Sequence, residues 1–238
     1  MSRPLLLVVV THPGDAAGAE EGGADRLLVV AEPEEAEMVP APATVAALRA
    51  ETGLPLVAAL KANEGWSTSG SELTRLTGAA YELAAAGATE FVLGFLGPTL
   101  EVDVGATLAL ADSLGGLGWS FGRAVDQTLD HDRAWAVMRD LHAGHGLDRF
   151  LTAGSARGLQ AGMDDLCMRA AAQPDTAALA VAAGGLVPEQ VPWLVQAGIG
   201  GFHLGRVARP GGSWRAYVDA AHVRAWRRLV DDEAARAR

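Results

Sequence analysis

The sequence predicts a (β/α)8 barrel, the TIM-barrel fold, formed by a single domain over residues 1–238. Three observations predict it: eight short apolar runs, helical patterns between them, and similar glycine-containing joints that lead into the next run. A chain of 238 residues, half of them apolar, is long enough for one barrel and its buried core.

The eight apolar runs have the composition of strands in a parallel sheet. Each is almost continuously apolar, which is typical of strands that helices cover on both faces. The runs are Pro4–Val10, Arg26–Val30, Leu56–Leu60, Glu90–Leu96, Gly118–Phe121, Arg149–Thr152, Ala178–Ala182 and Gly201–Leu204.

Helical patterns fill the intervals between the strands. Examples are residues 43–51, 71–86, 130–143 and 189–196, and a C-terminal helix is expected over about residues 216–236. Glycines at positions 23, 53, 87, 116, 146 and 198 mark the helix-to-strand joints, so most units span about 30 residues. Each glycine can adopt the left-handed conformation that ends a helix. The alternative is an open doubly wound sheet, but no Gly-x-Gly-x-x-Gly motif follows the first strand.

Charge and cysteine content limit the partners and the compartment. The chain has 19 Lys and Arg against 29 Asp and Glu, a net charge of −10, so it lacks the basic surface that nucleic-acid binding requires. No run approaches the ~20 apolar residues of a membrane span. Cys167 is the only cysteine, which excludes an intrachain disulfide and favours a reducing, cytoplasmic location. A homo-oligomer remains open.

The candidate site lies at the carboxyl ends of the strands, because barrel enzymes carry their functional residues on the loops there. The candidate residues at those strand ends are Thr11, His12 and Asp15 after the first strand, Glu32 after the second, Lys61 after the third, Arg123 and Asp126 after the fifth, Thr152 and Gly154 at the sixth, Gly184 and Gly185 after the seventh, and His203, Gly205 and Arg206 at the eighth.

The last two loops predict an anion site. Glycines after the seventh and eighth strands allow backbone N–H groups to approach a phosphate or carboxylate. Gly184, Gly185, Gly205 and Arg206 are therefore candidate ligand-binding residues. The alternative is that these glycines serve only the tight turns of a barrel.

Two further cations reach the same rim. Lys61 and Arg123 would bind charge on an anionic ligand, and Asp126 would orient Arg123. The alternative is that Arg123 and Asp126 form an ion pair that only fixes their loop.

His203 is the acid–base candidate. It alternates with Phe202 and Leu204, so it points into the barrel mouth if those two face the helices. A histidine satisfied within the core is the alternative. The candidate catalytic residues are therefore His203, Asp126 and Lys61.

The residues themselves favour no metal site, and no nucleophile elbow, Walker loop or His-Glu-x-x-His motif is present. Cys167 lies near Met163 and Met168, and sulfur ligands on one helix face suit Cu(I). Such residues more often pack a helix onto its barrel.

The order and spacing of five segments resemble the CutC family, which is named for copper homeostasis. The segments are Gly-Ala-Asp-Arg (23–26), Phe-Gly-Arg-Ala-Val-Asp (121–126), Arg-Phe-Leu-Thr-Ala-Gly (149–154), Ala-Gly-Gly-Leu-Val-Pro-Glu (183–189) and Phe-His-Leu-Gly (202–205). The resemblance extends from the first strand to Trp214 and implies a TIM barrel. Copper is implied by the family's name alone.

The resemblance also implies a divergent active site. Typical members carry Phe-His-Arg-Ala-Phe-Asp at strand 5, where this chain has Gly122 in place of the histidine. They carry acidic residues on strands 1 and 2, where this chain has Leu and Val, and Arg-Pro-Arg after strand 3, where it reads Lys-Ala-Asn (61–63). The positions that match are Arg123, Asp126, Thr152, Gly154, Gly185 and His203.

Three functions are open at this point. The first is a CutC-like barrel that binds a small anionic molecule at its mouth, whether as an enzyme of altered chemistry or as a binding protein. The second is a copper-handling protein without catalysis, with His12, His203 and Cys167 as candidate ligands. The third is a catalytically inactive barrel with an interaction role.

Overall fold

Eight parallel strands close into a barrel in the computed structural model of the protein, which describes residues 3–31, 33 and 38–237. Each strand pairs with the next along the chain, and the eighth pairs with the first. The predicted TIM barrel is therefore confirmed, while Glu32 lies outside the described residues. The strands are β1 Leu5–Val10, β2 Arg26–Val29, β3 Leu56–Ala59, β4 Glu90–Leu93, β5 Gly118–Phe121, β6 Leu147–Thr152, β7 Ala180–Ala182 and β8 Gly201–Leu204.

Strand β4 ends three residues earlier than its apolar run predicts. The run continues to Leu96, but Gly94 has a φ of +146° and leaves the strand conformation. A Cβ at Gly94 would lie 2.7 Å from the ring of Phe121. Glycine at position 94 therefore accommodates both this backbone conformation and the close approach of the Phe121 ring from the neighbouring strand.

The helices cover the barrel, and none in the described part of the chain is long and apolar enough to cross a membrane. The C-terminal helix begins at Ala220, later than the predicted 216, because the Asp219 side chain caps it by accepting from the N–H of His222 at 2.9 Å. The helices are α1 Ala16–Gly22, α2 Pro42–Glu51, α3 Gly70–Ala85, α4 Val104–Asp112, α5 His131–His145, α6 Leu159–Ala172, α7 Pro174–Ala177, α8 Val191–Gln196 and α9 Ala220–Arg236.

Most of the glycine joints adopt the predicted left-handed conformation. The φ angles are +93° at Gly23, +113° at Gly87, +90° at Gly116, +71° at Gly146 and +87° at Gly198. The prediction is wrong at Gly53. There α2 ends in extended backbone at Thr52, whose hydroxyl accepts from the N–H of Leu54 at 3.1 Å and makes a left-handed residue unnecessary.

Apolar side chains pack both outside and inside the barrel. Phe91, Phe121, Phe150 and Phe202 are fully buried between strands and helices. The interior holds smaller aliphatic residues, chiefly Leu7, Val9, Leu28, Val57, Leu151 and Val181. The interior core thus forms a floor beneath the mouth, as in barrels generally.

The amino-terminal end of the barrel is closed by charge. Arg26, at the start of β2, donates from Nη1 to Glu90 at 2.6 Å and to Asp148 at 2.5 Å. Burial raises the pKa of Glu90, the Arg26 charge opposes that rise, and Asp148 adds to it. These three charged side chains pair with one another at the end of the barrel opposite the mouth.

Candidate functional site

A cavity of about 460 Å³ lies at the carboxyl ends of the strands. Seven of the ten predicted site residues line it: Lys61, Arg123, Gly184, Gly185, His203, Gly205 and Arg206. The other three, Asp126, Thr152 and Gly154, are buried and are not part of its wall. Residues that the sequence did not single out complete the wall, chiefly Pro33, Trp66, Gln127, Leu186 and Trp214.

Arg123 is fixed on two sides and faces the cavity. It begins the short 3-10 helix Arg123–Gln127 that follows β5. Its Nε donates to Asp126 Oδ2 at 2.9 Å, and its Nη2 donates to the carbonyl of Ser155 at 3.3 Å. Its Nη1 donates no hydrogen bond to any described residue. A guanidinium held this way keeps donors for a ligand while its position is already set.

Asp126 holds Arg123 from behind the cavity wall. Its side chain is 1% exposed, and its Oδ1 accepts from the Thr152 hydroxyl at 2.7 Å. Its Oδ2 accepts from the N–H of Ala153 at 2.9 Å. These bonds tie the loop after β5 to the end of β6. The geometry makes Asp126 and Thr152 positioning residues, since neither contacts the cavity.

Gly154 serves helix packing in this structure. It has a φ of +72°, and a Cβ there would lie 2.4 Å from the carbonyl oxygen of Gly162 on α6. Its N–H donates to the Thr152 hydroxyl at 3.0 Å. The glycine therefore allows α6 to approach the end of β6.

The two glycines after β7 line the cavity, and Gly184 lies directly against Arg123. Gly184 and Gly185 both have left-handed backbone, with φ of +86° and +93°. A Cβ at Gly184 would lie 2.6 Å from Nη1 of Arg123, so the missing side chain makes room for the guanidinium. Neither glycine N–H donates to another described residue. Both remain donors on the cavity wall.

Lys61, His203 and Arg206 complete the charged part of the mouth. The Nζ of Lys61 lies 3.8 Å from the ring centroid of Trp66, which holds the ammonium at the rim. His203 lines the cavity, while Phe202 and Leu204 pack in the outer core. Arg206 forms no ion pair with any described residue. The described part of the mouth therefore concentrates positive charge in a chain of net charge −10.

A second arginine–aspartate pair lies beside the mouth, and the sequence did not predict it. Arg209 donates from Nη1 to Asp15 Oδ1 at 2.8 Å and from Nη2 to Asp15 Oδ2 at 2.9 Å. The side chains are 1% and 0% exposed. Asp15 also accepts from the N–H groups of Thr11 and Val218. Burial alone would raise the pKa of Asp15, but the hydrogen bonds from Arg209 and Thr11 outweigh it and lower the pKa.

The candidate copper ligands lie apart from one another. Cys167 packs on α6 outside the barrel, where burial and the neighbouring Asp164 raise the pKa of its thiol. The Nδ1 of His12 accepts from the N–H of Gly14 at 3.0 Å, and its ring contacts Tyr217. Within residues 3–31, 33 and 38–237, no group of three or more His, Cys, Asp or Glu side chains is arranged to hold a metal ion.

Comparison with known proteins decides the family. The model of the CutC family matches residues 5–208. The chain belongs to the CutC family. A CutC family protein of Klebsiella pneumoniae is 27% identical over 229 residues, which cover 92% of this chain and 90% of that protein. A CutC family protein of Xylella fastidiosa is 31% identical over 150 residues, covering 63% of this chain and 55% of that protein.

Solved structures agree with the CutC fold. The crystal structure of CutC from Streptococcus agalactiae, whose name links it to copper homeostasis, superposes with a TM-score of 0.73 at 17% identity. It covers 85% of this chain and 98% of its own. Thiamine phosphate pyrophosphorylase from Pyrococcus furiosus has a TM-score of 0.61 at 13% identity and covers 97% of this chain and 96% of its own. At such identities these likenesses show the barrel fold.

Proposed function

We propose that this CutC-family chain binds a small anionic molecule at the mouth of its barrel. The observation that carries the proposal is the state of Arg123. Asp126 and Ser155 fix its guanidinium, the side chain lines the cavity, and Nη1 donates to no described residue. An arginine positioned in advance binds a carboxylate or phosphate without a further loss of side-chain freedom.

The surrounding groups suit the same ligand. Lys61 and Arg206 add positive charge on the cavity wall, and Gly184 and Gly185 add backbone donors. Oriented N–H groups and cations together form the usual setting for a bound phosphate or carboxylate. A ligand between them would replace water with several charge-assisted hydrogen bonds.

His203 lies in the same cavity and is 8% exposed. For a reaction on the bound anion, we propose His203 as the acid–base group and Lys61 as a second charged group in reach. Asp126 would act through Arg123. An enzyme of altered chemistry would therefore use His203 and Lys61 on the wall, with Asp126 behind it.

Copper is linked to this chain by the name of the CutC family. The candidate ligands His12, His203 and Cys167 lie on different parts of the fold, so the geometry favours an anion as the ligand of the mouth. We propose the cytoplasm as the compartment, because the single cysteine forms no intrachain disulfide.

Calorimetric titration with inorganic phosphate and with malonate tests the proposal. Arg123→Ala should weaken binding about 10- to 100-fold, because hydrogen bonds to charged groups contribute about 1.5–3 kcal/mol. Arg139→Ala is the matched control, since Arg139 is an exposed arginine on α5 that pairs with Asp140.

Binding by the wild type and by Arg139→Ala, with loss in Arg123→Ala, would support the proposal. It would be refuted if neither anion binds the wild type, or if Arg123→Ala binds as tightly as the wild type.

A further inference from the structure

A second, smaller cavity lies next to the mouth. It has a volume of about 50 Å³, and it shares Lys61, Trp66 and Arg123 with the larger cavity. The other described residues of its wall are apolar, chiefly Leu28, Ala59, Val92 and Leu151. We call this space the apolar slot. Two cationic side chains therefore stand where a wide, charged cavity meets a narrow apolar one.

Gly122 leaves the slot open. Its φ of −76° and ψ of −177° are accessible to any residue, so the backbone does not require a glycine. A Cβ there would lie 3.4 Å from Cγ1 of Val92 and 3.8 Å from the carbonyl oxygen of Leu93, both ordinary contacts. A larger side chain at this position would occupy the slot. The slot is therefore open because residue 122 has no side chain, although neither the backbone conformation nor the neighbouring atoms require a glycine there.

We propose that the ligand of the mouth is an anion bearing a short unbranched alkyl group, which enters the apolar slot while the anionic group binds Arg123. This inference rests on the anion binding proposed above. The shared residues set the orientation, because Lys61 and Arg123 lie at the rim and the described residues beyond them carry no charge.

The volume sets the length of the alkyl group. A cavity needs a volume of about 10–15 Å³ for each water-sized group that it holds. A slot of about 50 Å³ therefore accepts about three to five carbon atoms. Each buried methylene should tighten binding about fourfold until the slot is full.

A homologous series of alkyl phosphates tests the inference. Inorganic phosphate and the unbranched alkyl phosphates from methyl to hexyl would be titrated into the wild-type protein by calorimetry. Affinity should rise from inorganic to propyl phosphate by well over tenfold and level off before hexyl phosphate. The apolar slot would then account for the rise in affinity with alkyl length, and the mouth would account for the binding of inorganic phosphate.

Two variants and a control test whether the rise in affinity with alkyl length arises in the apolar slot. Gly122→Val should reduce the ratio of propyl phosphate to inorganic phosphate affinity to near one, because its side chain fills the slot. Val92→Ala should shift the best chain length upward by about one carbon, because it enlarges the slot. Gly53→Ala is the control, since Gly53 lies at the opposite end of the barrel with nothing within 4 Å of an added Cβ.

The outcomes separate this inference from the anion proposal. If inorganic phosphate binds but affinity is flat along the series, the alkyl group is excluded and anion binding stands. The same holds if Gly122→Val and Val92→Ala keep the wild-type preference. If no member of the series binds, both proposals fail together.

Discussion

The two arginine–aspartate pairs at the mouth use the same chemistry for different ends. Arg209 meets Asp15 through both terminal nitrogens, and it also donates to the carbonyls of Val9 and Ala216. Arg123 meets Asp126 through Nε alone, and its side chain is 25% exposed. The terminal nitrogens of Arg209 donate to protein acceptors, whereas Arg123 lines the cavity and its Nη1 donates to no described residue.

This difference shows how burial separates a structural cation from a binding cation. A buried charge is tolerated only when its donors are satisfied, as those of the Arg209 terminal nitrogens are. A cation intended for a ligand needs a fixed position and an unsatisfied edge. Asp126 supplies the fixed position for Arg123 without occupying that edge. We therefore expect changes to the first pair to affect stability and changes to the second to affect binding.

The largest expected effect is the loss of stability on breaking the pair of Arg209 and Asp15. Arg209→Ala should lower the free energy of unfolding by about 3–5 kcal/mol, because it leaves Asp15 buried without its counter-charge. Arg123→Ala should cost less, about 1.5–3 kcal/mol, because Asp126 keeps its bonds from Thr152 and Ala153. Urea denaturation of both variants measures the difference. Equal losses, or a larger loss in Arg123→Ala, would contradict the comparison.

A smaller effect should appear on acidification. The pKa of Asp15 is lowered in the folded protein, so the stability that its ionised form contributes is present above its unfolded value of about 3.9. That contribution is lost as the pH falls through the folded pKa. The stability gap between wild type and Asp15→Asn should hold from pH 7 to pH 5 and narrow below pH 4.

Denaturation curves at pH 7, 5, 4 and 3 would measure that gap. Asp140→Asn is the control, because the Asp140 side chain is 71% exposed and its removal should leave the pH dependence as in the wild type. A gap between wild type and Asp15→Asn that stays constant down to pH 3 would show that the pair does not stabilise the ionised form.

The smallest effect sharpens the role of the Arg123 pair. Gly184→Ala should weaken phosphate binding several-fold, because its Cβ would displace Nη1 of Arg123. Gly198→Ala is matched for backbone strain, with φ of +87° against +86°, but an added Cβ there meets nothing within 4 Å. Both variants should lose about 1 kcal/mol of stability from that strain. Equal phosphate affinities of Gly184→Ala and Gly198→Ala would show that Gly184 has no role in phosphate binding.

Repetition made the barrel predictable from the sequence. Apolar runs and glycine joints recur in nearly every unit, so errors in single boundaries, such as the end of β4, do not change the fold. Gly53 shows the limit of the pattern. A threonine hydroxyl there does the work of a left-handed glycine, and composition alone does not distinguish the two.

The mouth was predictable in location but not in detail. The strand-end rule pointed to Lys61, Arg123, His203 and Arg206, and the structure brings all four to one cavity. It could not show that Asp126 lies behind the wall, because that depends on how the loop after β5 packs against β6. Asp15 follows β1, and β1 adjoins β8 in a closed barrel, so a basic partner after β8 could have been sought.

The bond between Asp15 and Arg209 also constrains the order of folding. It joins residues 194 positions apart, and the length-dependent part of the entropy cost of closing a free loop of that size is about 4.7 kcal/mol. The intervening strands must shorten that loop before the bond can form. Trp214, which stacks on Arg209, lines the cavity. The same wall combines Lys61 after β3, Arg123 after β5 and His203 on β8, so binding of a ligand at the mouth would report a closed barrel.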